Sequence, residues 1–544
     1  MLNVVTKYCF IENDQPSESE QKVISYISMN KGEDYSAVIE RETDWYVFHQ
    51  LAKTRESILN WYDFKEEASI LEVGSGFGAV TGLLSDRGKD VTCVEAIPYK
   101  AQALAKRYEN RTNITIYSGD VLDIEFDKKF DYIVMLGVLE YCGNGSKGKE
   151  KYIEFISKLR KLLNKNGKIL LAADNRYGIR YFCGEKEQGS NTPFYGINRF
   201  PNGCRAYAFD RRELTDIIKG SGLEYKMYYP MPDYKHAQVI FSDEYLPQSS
   251  LRERIIPYYQ DKSTILALEK DLYDDLVDNG VFPFFCNSYL AECGFDKTFC
   301  KVDYAALTTD RGKENGFATV IMKKNKVEKR ALYNEGQKNL AVIYDNLLDL
   351  EKHGIHIVHQ ELVENKLVMP YIDKTILSEA LKVALRENKI KFIEMFDLLY
   401  EQILLSSEHM DAKCNKLRVS DTDKRDYGII LKKSYIDMIP VNCFIDESKL
   451  IFFDQEFVKY YYPASYTMFR ALKYTYSFIT FANGIVPLQQ MKEKYGLCEV
   501  WEDYTAEENK YVYQNRDMKT YKFFWESSRI SKKDVSNNIR RWTS

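Results

Sequence analysis

Three side chains suited to handling a metal and a proton fall in one short stretch, SYIDMIPVNCFIDESKLIFFDQEF. They are Asp437, Asn442 five residues later, and Asp454 twelve beyond that, at the end of an apolar run. The stretch reads as a loop followed by a β-hairpin. Side chains of these types can ligate a hard cation or carry a proton. A second set lies near the other end of the chain, in LEVGSGFGA: Glu72, then Gly74, Gly76 and Gly78, followed by Glu95 in VEA and by Asp120 and Val121 in SGDV. Glycines between a strand and a helix let a ligand approach the backbone and the helix N-terminus, and acids closing the next strands supply acceptors for a ribose diol. Gly74, Gly76 and Ala79 alone also satisfy the dinucleotide fingerprint, so a nicotinamide-dependent enzyme stays open at this point.

These residues need elements to hold them. Residues from about Asp44 to Phe64 carry helical apolar spacing, and SILEVGSGFGAVTGLLS reads strand, glycine turn, helix. DVTCVEA, AQALAKRYEN, NITIYSGDV, FDYIVMLGVLEY, KYIEFISKLRKLL and GKILLAAD then alternate strand and helix, which predicts a doubly wound parallel sheet. A tyrosine- and proline-rich stretch and a charged helical connector near Thr264 to Asp278 follow. Beyond about Phe295 the antiparallel-looking strands VDYAALTTD and FATVIMKKN open a second domain. The expected division is an extension over 1–43, the glycine-loop domain over 44–250, a helical connector over 251–295, the second domain over 296–490 and a helical tail over 491–544.

At 544 residues the chain exceeds what one core usually supports. Its 45% hydrophobic and 29% charged residues describe a globular protein, and a net charge of −4 gives no basic footprint for nucleic acid. With neither a leader-like start nor an apolar run of membrane-spanning length, the expected location is cytoplasmic. The 11 cysteines include no CxxC pair, and Cys286, Cys293 and Cys300, seven residues apart, read as reduced thiols rather than a zinc site. His353, His356 and His359 run into a strand whose alternating faces would point them apart.

The series of acids after successive strands resembles class I S-adenosylmethionine-dependent methyltransferases. That resemblance implies a Rossmann-like α/β domain, S-adenosylmethionine as cofactor, Glu95 on the ribose, and Asp120 with Val121 flanking the adenine. It places Gly137, Leu139, Glu140 and Tyr141 near the transferred methyl. No (D/N)PPY signature of amino-methylating enzymes occurs, which favours an oxygen acceptor. Asp174, Asn175, Arg176 and Tyr177, then Tyr229, Pro230, Pro232, Asp233 and Tyr234, are the expected substrate lid, with Arg176 and Arg180 available to an anionic acceptor such as a phosphate.

The Asp437, Asn442 and Asp454 constellation is similar to that of protein kinases and their aminoglycoside- and choline-kinase-like relatives. The similarity implies an α+β kinase-like domain using ATP and Mg2+, with Asp437 as base, Asn442 and Asp454 as metal ligands, Lys329 paired to Glu335, and Met369 to Ile372 facing the adenine. The chain departs from the protein-kinase pattern at Tyr435 and Ile436, at Asp454-x-Glu456, and in LTTDRGKENGFA, which holds only Gly312 and Gly316. An inactive nucleotide- or glycan-binding module on a sugar O-methyltransferase is therefore the alternative. The domain order, from about Trp45 to Tyr476, resembles bacterial bifunctional methyltransferase/kinases that terminate surface-polysaccharide (O-antigen or capsule) chains, without their long coiled-coil tail. That resemblance implies a glycan or lipid-linked polysaccharide substrate, phosphorylated and then methylated, and glycosyltransferases of the same pathway as partners; the family's chain-length and membrane-recruitment roles are not carried over, and a peripheral place at the inner face of the plasma membrane is an expectation beside the cytoplasmic one. An interaction scaffold is the remaining reading. Lys532, Lys533, Arg540, Arg541 and Trp542 read as a solvated helix face.

Overall fold

The computed structural model describes residues 3–6, 15–30, 32–145, 147–187, 190–248, 251–252, 254–417, 425–524 and 529–543. The chain forms two compact units, Met1–Asp310 together with Met518–Ser544, and Arg311–Asp517.

The first unit is built on strands β1 (Asn3–Thr6), β2 (Ala68–Val73), β3 (Gly88–Glu95), β4 (Ile114–Ser118), β5 (Phe130–Leu136), β6 (Leu163–Asp174), β7 (Glu224–Met231), β8 (Val239–Ser242), β9 (Ser288–Gly294) and β10 (Val302–Leu307). Their order is β1-β4-β3-β2-β5-β6-β9-β7-β8-β10. β1 to β6 pair in parallel, and β9 runs antiparallel to both β6 and β7. The run Val91–Glu95 is buried at every position, as expected of a parallel strand covered on both faces. Helix Glu150–Arg160 buries Tyr152, Phe155, Ile156 and Leu159, one stripe at helical spacing, and helix Arg211–Gly220 starts at a capping box between Asp210 and Glu213. The strand order reverses between β2 and β5, which opens a crevice at their carboxyl ends.

Several expected boundaries move. β9, inside the stretch read as a helical connector, pairs with β6 and β7 in this sheet, and β10, assigned to the second domain, pairs with β8. The N-terminal residues are part of the same unit: β1 joins β4, and helix Glu18–Met29 buries Val23 and Ile27 in a cluster with Phe48 and Phe77. The tail divides. Helix Trp501–Asn515 belongs to the second unit, whereas Phe523 stacks on Phe48 at 3.9 Å and the Asn538 amide donates to the Lys262 and Ile265 carbonyls. Trp542, read as part of a solvated face, meets Phe194 edge-on at 6.0 Å and is half exposed.

The second unit has an antiparallel sheet of β11 (Phe317–Met322), β12 (Lys326–Ala331), β13 (Glu361–Val363) and β14 (Lys366–Pro370), in the order β11-β12-β14-β13, with helix Gln337–Lys352 between β12 and β13. A helical body follows, with β15 (His409–Met410), β16 (Ile430–Tyr435) and β19 (Val458–Pro463) in one small sheet, and β17 (Cys443–Asp446) and β18 (Lys449–Phe452) forming the expected hairpin. Leu340, Leu347, Leu381, Phe396, Phe452 and Phe469 lie in one continuous core. Among the described residues, no helix is long and apolar enough to cross a membrane.

Candidate active sites of the two units

The glycine loop leaves β2 at the crevice. Gly76 has φ +56°, a conformation costly for side chains with a Cβ, and its amide donates to Glu95 Oε2 at 2.7 Å while Ile97 N donates to Oε1 at 2.9 Å. A Cβ on Gly76 would meet nothing within 4 Å, so the backbone faces open cleft, whereas one on Gly78 would meet Leu104 at 2.5 Å and Tyr108 at 2.7 Å. Glu72 accepts from the Thr81 hydroxyl at 2.6 Å and the Cys93 thiol at 3.5 Å, and burial pushes it up to about 7. Burial likewise raises Glu95, opposed by the Ile97 and Gly76 amides. Asp120 closes β4's loop in the open, its Oδ1 accepting from Leu122 N at 2.9 Å, and Val121 beside it is buried. Glu72, Gly74, Gly76, Glu95 and Asp120 lie at or just after the ends of β2, β3 and β4.

The cleft beyond has a cavity volume of about 190 Å³, opens to solvent, and is lined in part by Glu72, Gly74, Gly76, Gly137, Glu140 and Tyr141. Arg55, Asp174, Glu187, Tyr234 and Lys235 are part of its polar wall. Lys235 pairs with Asp174 at 2.8 Å, and Arg55 Nη1 donates to the Lys235 carbonyl at 2.8 Å. The two arginines expected to meet an acceptor are engaged elsewhere. Arg176 pairs with Asp210 at 2.8 Å and Glu213 at 3.2 Å, and Arg180 pairs at 2.6 Å with Asp233, which also accepts from Tyr258. Most of the expected lid is likewise framework: Tyr229 and Pro230 lie within β7, and Asn175 is fully buried, donating to the Phe284 and Cys286 carbonyls. Asp174 and Tyr234 do reach the cleft. Its cations are Arg55 and Lys235, which the sequence reading passed over because neither sits in a motif. Arg55 comes from the 3-10 turn Lys53–Ile58 and Lys235 from the loop after β7, and only the fold joins them.

In the second unit, Lys329 on β12 donates to both Asp454 and Glu456, across more than a hundred residues of chain. Arg311 Nη1 donates to Glu456 at 2.6 Å. Asn442 Nδ2 donates to the Asp437 carbonyl at 3.1 Å, which leaves its amide oxygen as the atom a cation would use, while the Asp454 carboxylate is paired with Lys329. Asp437 Oδ1 pairs with Arg470 at 3.0 Å and Oδ2 accepts the Phe457 amide at 2.9 Å. Burial raises Asp437 against the pull of Arg470; for Glu456, burial is outweighed by Lys329 and Arg311, which hold it low. Glu335 does not pair with Lys329. It is exposed in the 3-10 turn Asn334–Gly336, and the carboxylate in that role is Glu456. The signal for this exchange was the acid two residues after Asp454, where the protein-kinase pattern has glycine.

Residues 71–171 match the family described as "Methyltransferase domain". A ubiquinone biosynthesis O-methyltransferase of Rickettsia bellii is 28% identical over 130 residues, 24% of this chain and 51% of that protein. An uncharacterized methyltransferase of Staphylococcus carnosus is 25% identical over 194 residues, 36% of this chain and 87% of that protein. This chain spans about half the length of the first of these relatives. Among solved structures, the CcbJ methyltransferase of Streptomyces caelestis is 14% identical, with a TM-score of 0.30, covering 48% of this chain and 96% of that one. Together with the glycine loop and its acids, the match over β2 to β6 establishes that the chain carries a class I S-adenosylmethionine-dependent methyltransferase domain.

Proposed function

We propose that the first unit transfers the methyl group of S-adenosylmethionine to an oxygen of its acceptor, and that the second is an ATP- and Mg2+-dependent kinase. The two act in turn on one end of a bacterial surface-polysaccharide glycan, phosphorylation preceding methylation. The observation that carries the methyltransferase half is Glu95, whose carboxylate is oriented by the Gly76 and Ile97 amides at the point where a ribose diol needs an acceptor. The "O-methyltransferase" in the name of the Rickettsia relative supports an oxygen acceptor. The kinase half is supported by Lys329 reaching Asp454, with Asp437 and Asn442 in the same loop system. Methyl transfer needs chiefly in-line placement, and phosphoryl transfer chiefly charge placement, so each site contains most of the groups its reaction requires. The glycan, its glycosyltransferases as partners and a place at the inner face of the plasma membrane complete the proposal.

Calorimetry on the full chain tests both halves. S-adenosylmethionine should bind without added metal, and ATP should bind only with Mg2+ and not to Asp454→Ala. A second reading, a sugar O-methyltransferase carrying an inactive kinase-shaped module, is favoured by one observation: both oxygens of Asp437 are already engaged, by Arg470 and by the Phe457 amide. Retained binding of the methyl donor with no ATP binding decides for it.

A further inference from the structure

Oxygen methylation leaves the question of where the acceptor's proton goes. Glu140 lies just after β5 and is 5% exposed. Its Oε1 accepts the Asp174 amide at 3.0 Å, which fixes the carboxyl group against the end of β6. Its Oε2 is buried with no hydrogen-bond partner, and the residue lines the cleft. A buried carboxylate oxygen without a donor is costly unless a ligand brings one. The titratable groups facing it are Asp174 on β6, Lys235 and Tyr234 after β7, Tyr141 and Cys142 on its own turn, and Tyr152 on helix Glu150–Arg160. Burial, and then the charge of Asp174, push Glu140 up to about 7, so it can both hold and release a proton near neutral pH.

We propose that Glu140 Oε2 takes the proton of a neutral hydroxyl acceptor as that oxygen attacks the methyl carbon; the inference rests on the methyltransferase reading of this unit. The O–H bond breaks toward Oε2, the new O–C bond forms, and the electron pair of the C–S bond returns to sulfur. An ionised carboxylate and a sulfonium cation thereby become a neutral acid and a neutral thioether. It follows that the sulfonium of the donor favours the ionised Glu140, whereas S-adenosylhomocysteine, which lacks that charge, does not.

Calorimetry of the full chain at pH 7, in buffers of different ionisation enthalpy, reads this linkage without an acceptor. S-adenosylmethionine should release more protons on binding than S-adenosylhomocysteine, by up to about half a proton per site for a group half protonated at that pH. Glu72 and Glu187 line the same cleft and are also raised to about 7, so it is the loss of the difference in the variant that assigns it to Glu140. In Glu140→Gln most of the difference should vanish, and by reciprocity affinity for S-adenosylmethionine should fall by about fivefold or more while that for S-adenosylhomocysteine changes less. Equal release by the two ligands in the wild-type protein, or an undiminished difference in the variant, overturns the assignment and leaves the methyltransferase standing. Failure of both ligands to bind removes the methyltransferase reading itself, and this proposal with it.

Discussion

Gly76→Ala separates the binding role of the glycine loop from its structural role. Gly76 holds φ +56°, and the added methyl would meet no atom within 4 Å. The expected loss of stability is therefore the left-handed backbone term alone, about 1 to 2 kcal/mol. The methyl instead projects into the open cleft where the donor must approach the backbone, so affinity for S-adenosylmethionine should fall at least about tenfold, or about 1.4 kcal/mol. Gly78→Ala is the control. It has the same kind of backbone, φ +81°, but its Cβ would press on Leu104 at 2.5 Å and Tyr108 at 2.7 Å. Overpacking adds about 1 to 3 kcal/mol to the backbone strain, so stability should fall further and affinity less. Thermal melts give the first quantity, and calorimetric titration well below each melting temperature gives the second. If Gly76→Ala binds the donor within twofold of wild type while losing the expected stability, the backbone at residue 76 does not face the ligand and the reasoning fails.

Arg470 is buried between Asp437 and Glu508, at 3.0 Å from each; Arg470→Met should destabilise the second unit by about 3 to 5 kcal/mol in denaturant titrations, because two buried carboxylates lose their cation. A loss under 1 kcal/mol would show that the two acids are protonated or solvated instead. Asn175→Ala removes the donor to the buried Cys286 carbonyl and the part-buried Phe284 carbonyl and should lower the stability of the first unit by about 1 to 3 kcal/mol, with donor affinity unchanged; an equal loss of both would place Asn175 in the binding site. Glu185 is 6% exposed and burial, opposed by Arg180, pushes it up to about 7. Between its unfolded value near 4.5 and about 7 the folded state holds a proton that the unfolded state has released, so stability falls as pH rises through that window and levels off above it. Glu185→Gln should be neutral at pH 4 and more stable than wild type at pH 8 by up to about 3 kcal/mol, and denaturant midpoints that move in parallel at both pH values would refute this.

What was legible in the sequence was what lies close together along it. The glycine loop, Glu72, Glu95, Asp120 and the hairpin carrying Asp454 are set by turns and strand ends a few residues away, and each occupies the place its local pattern dictates. The errors share a cause of the opposite kind. Glu335 stands six residues from Lys329 in sequence, yet the lysine takes a carboxylate 127 residues distant, because a buried ammonium settles where two acids converge rather than where one is near along the chain. Arg176 and Arg180 have the chemistry to hold an anion, but their own fold supplies the anions in Asp210, Glu213 and Asp233. Arg55 and Lys235 carry no local signal and still define the cationic wall of the cleft. The same holds for β9 and for the last part of the tail, from Met518, whose membership in the first unit depends on ladders and ring contacts formed across long separations. A loop that would hold a nucleotide through backbone turns is local in sequence and can be read there, whereas a cleft walled by side chains from several strands is assembled only by the fold.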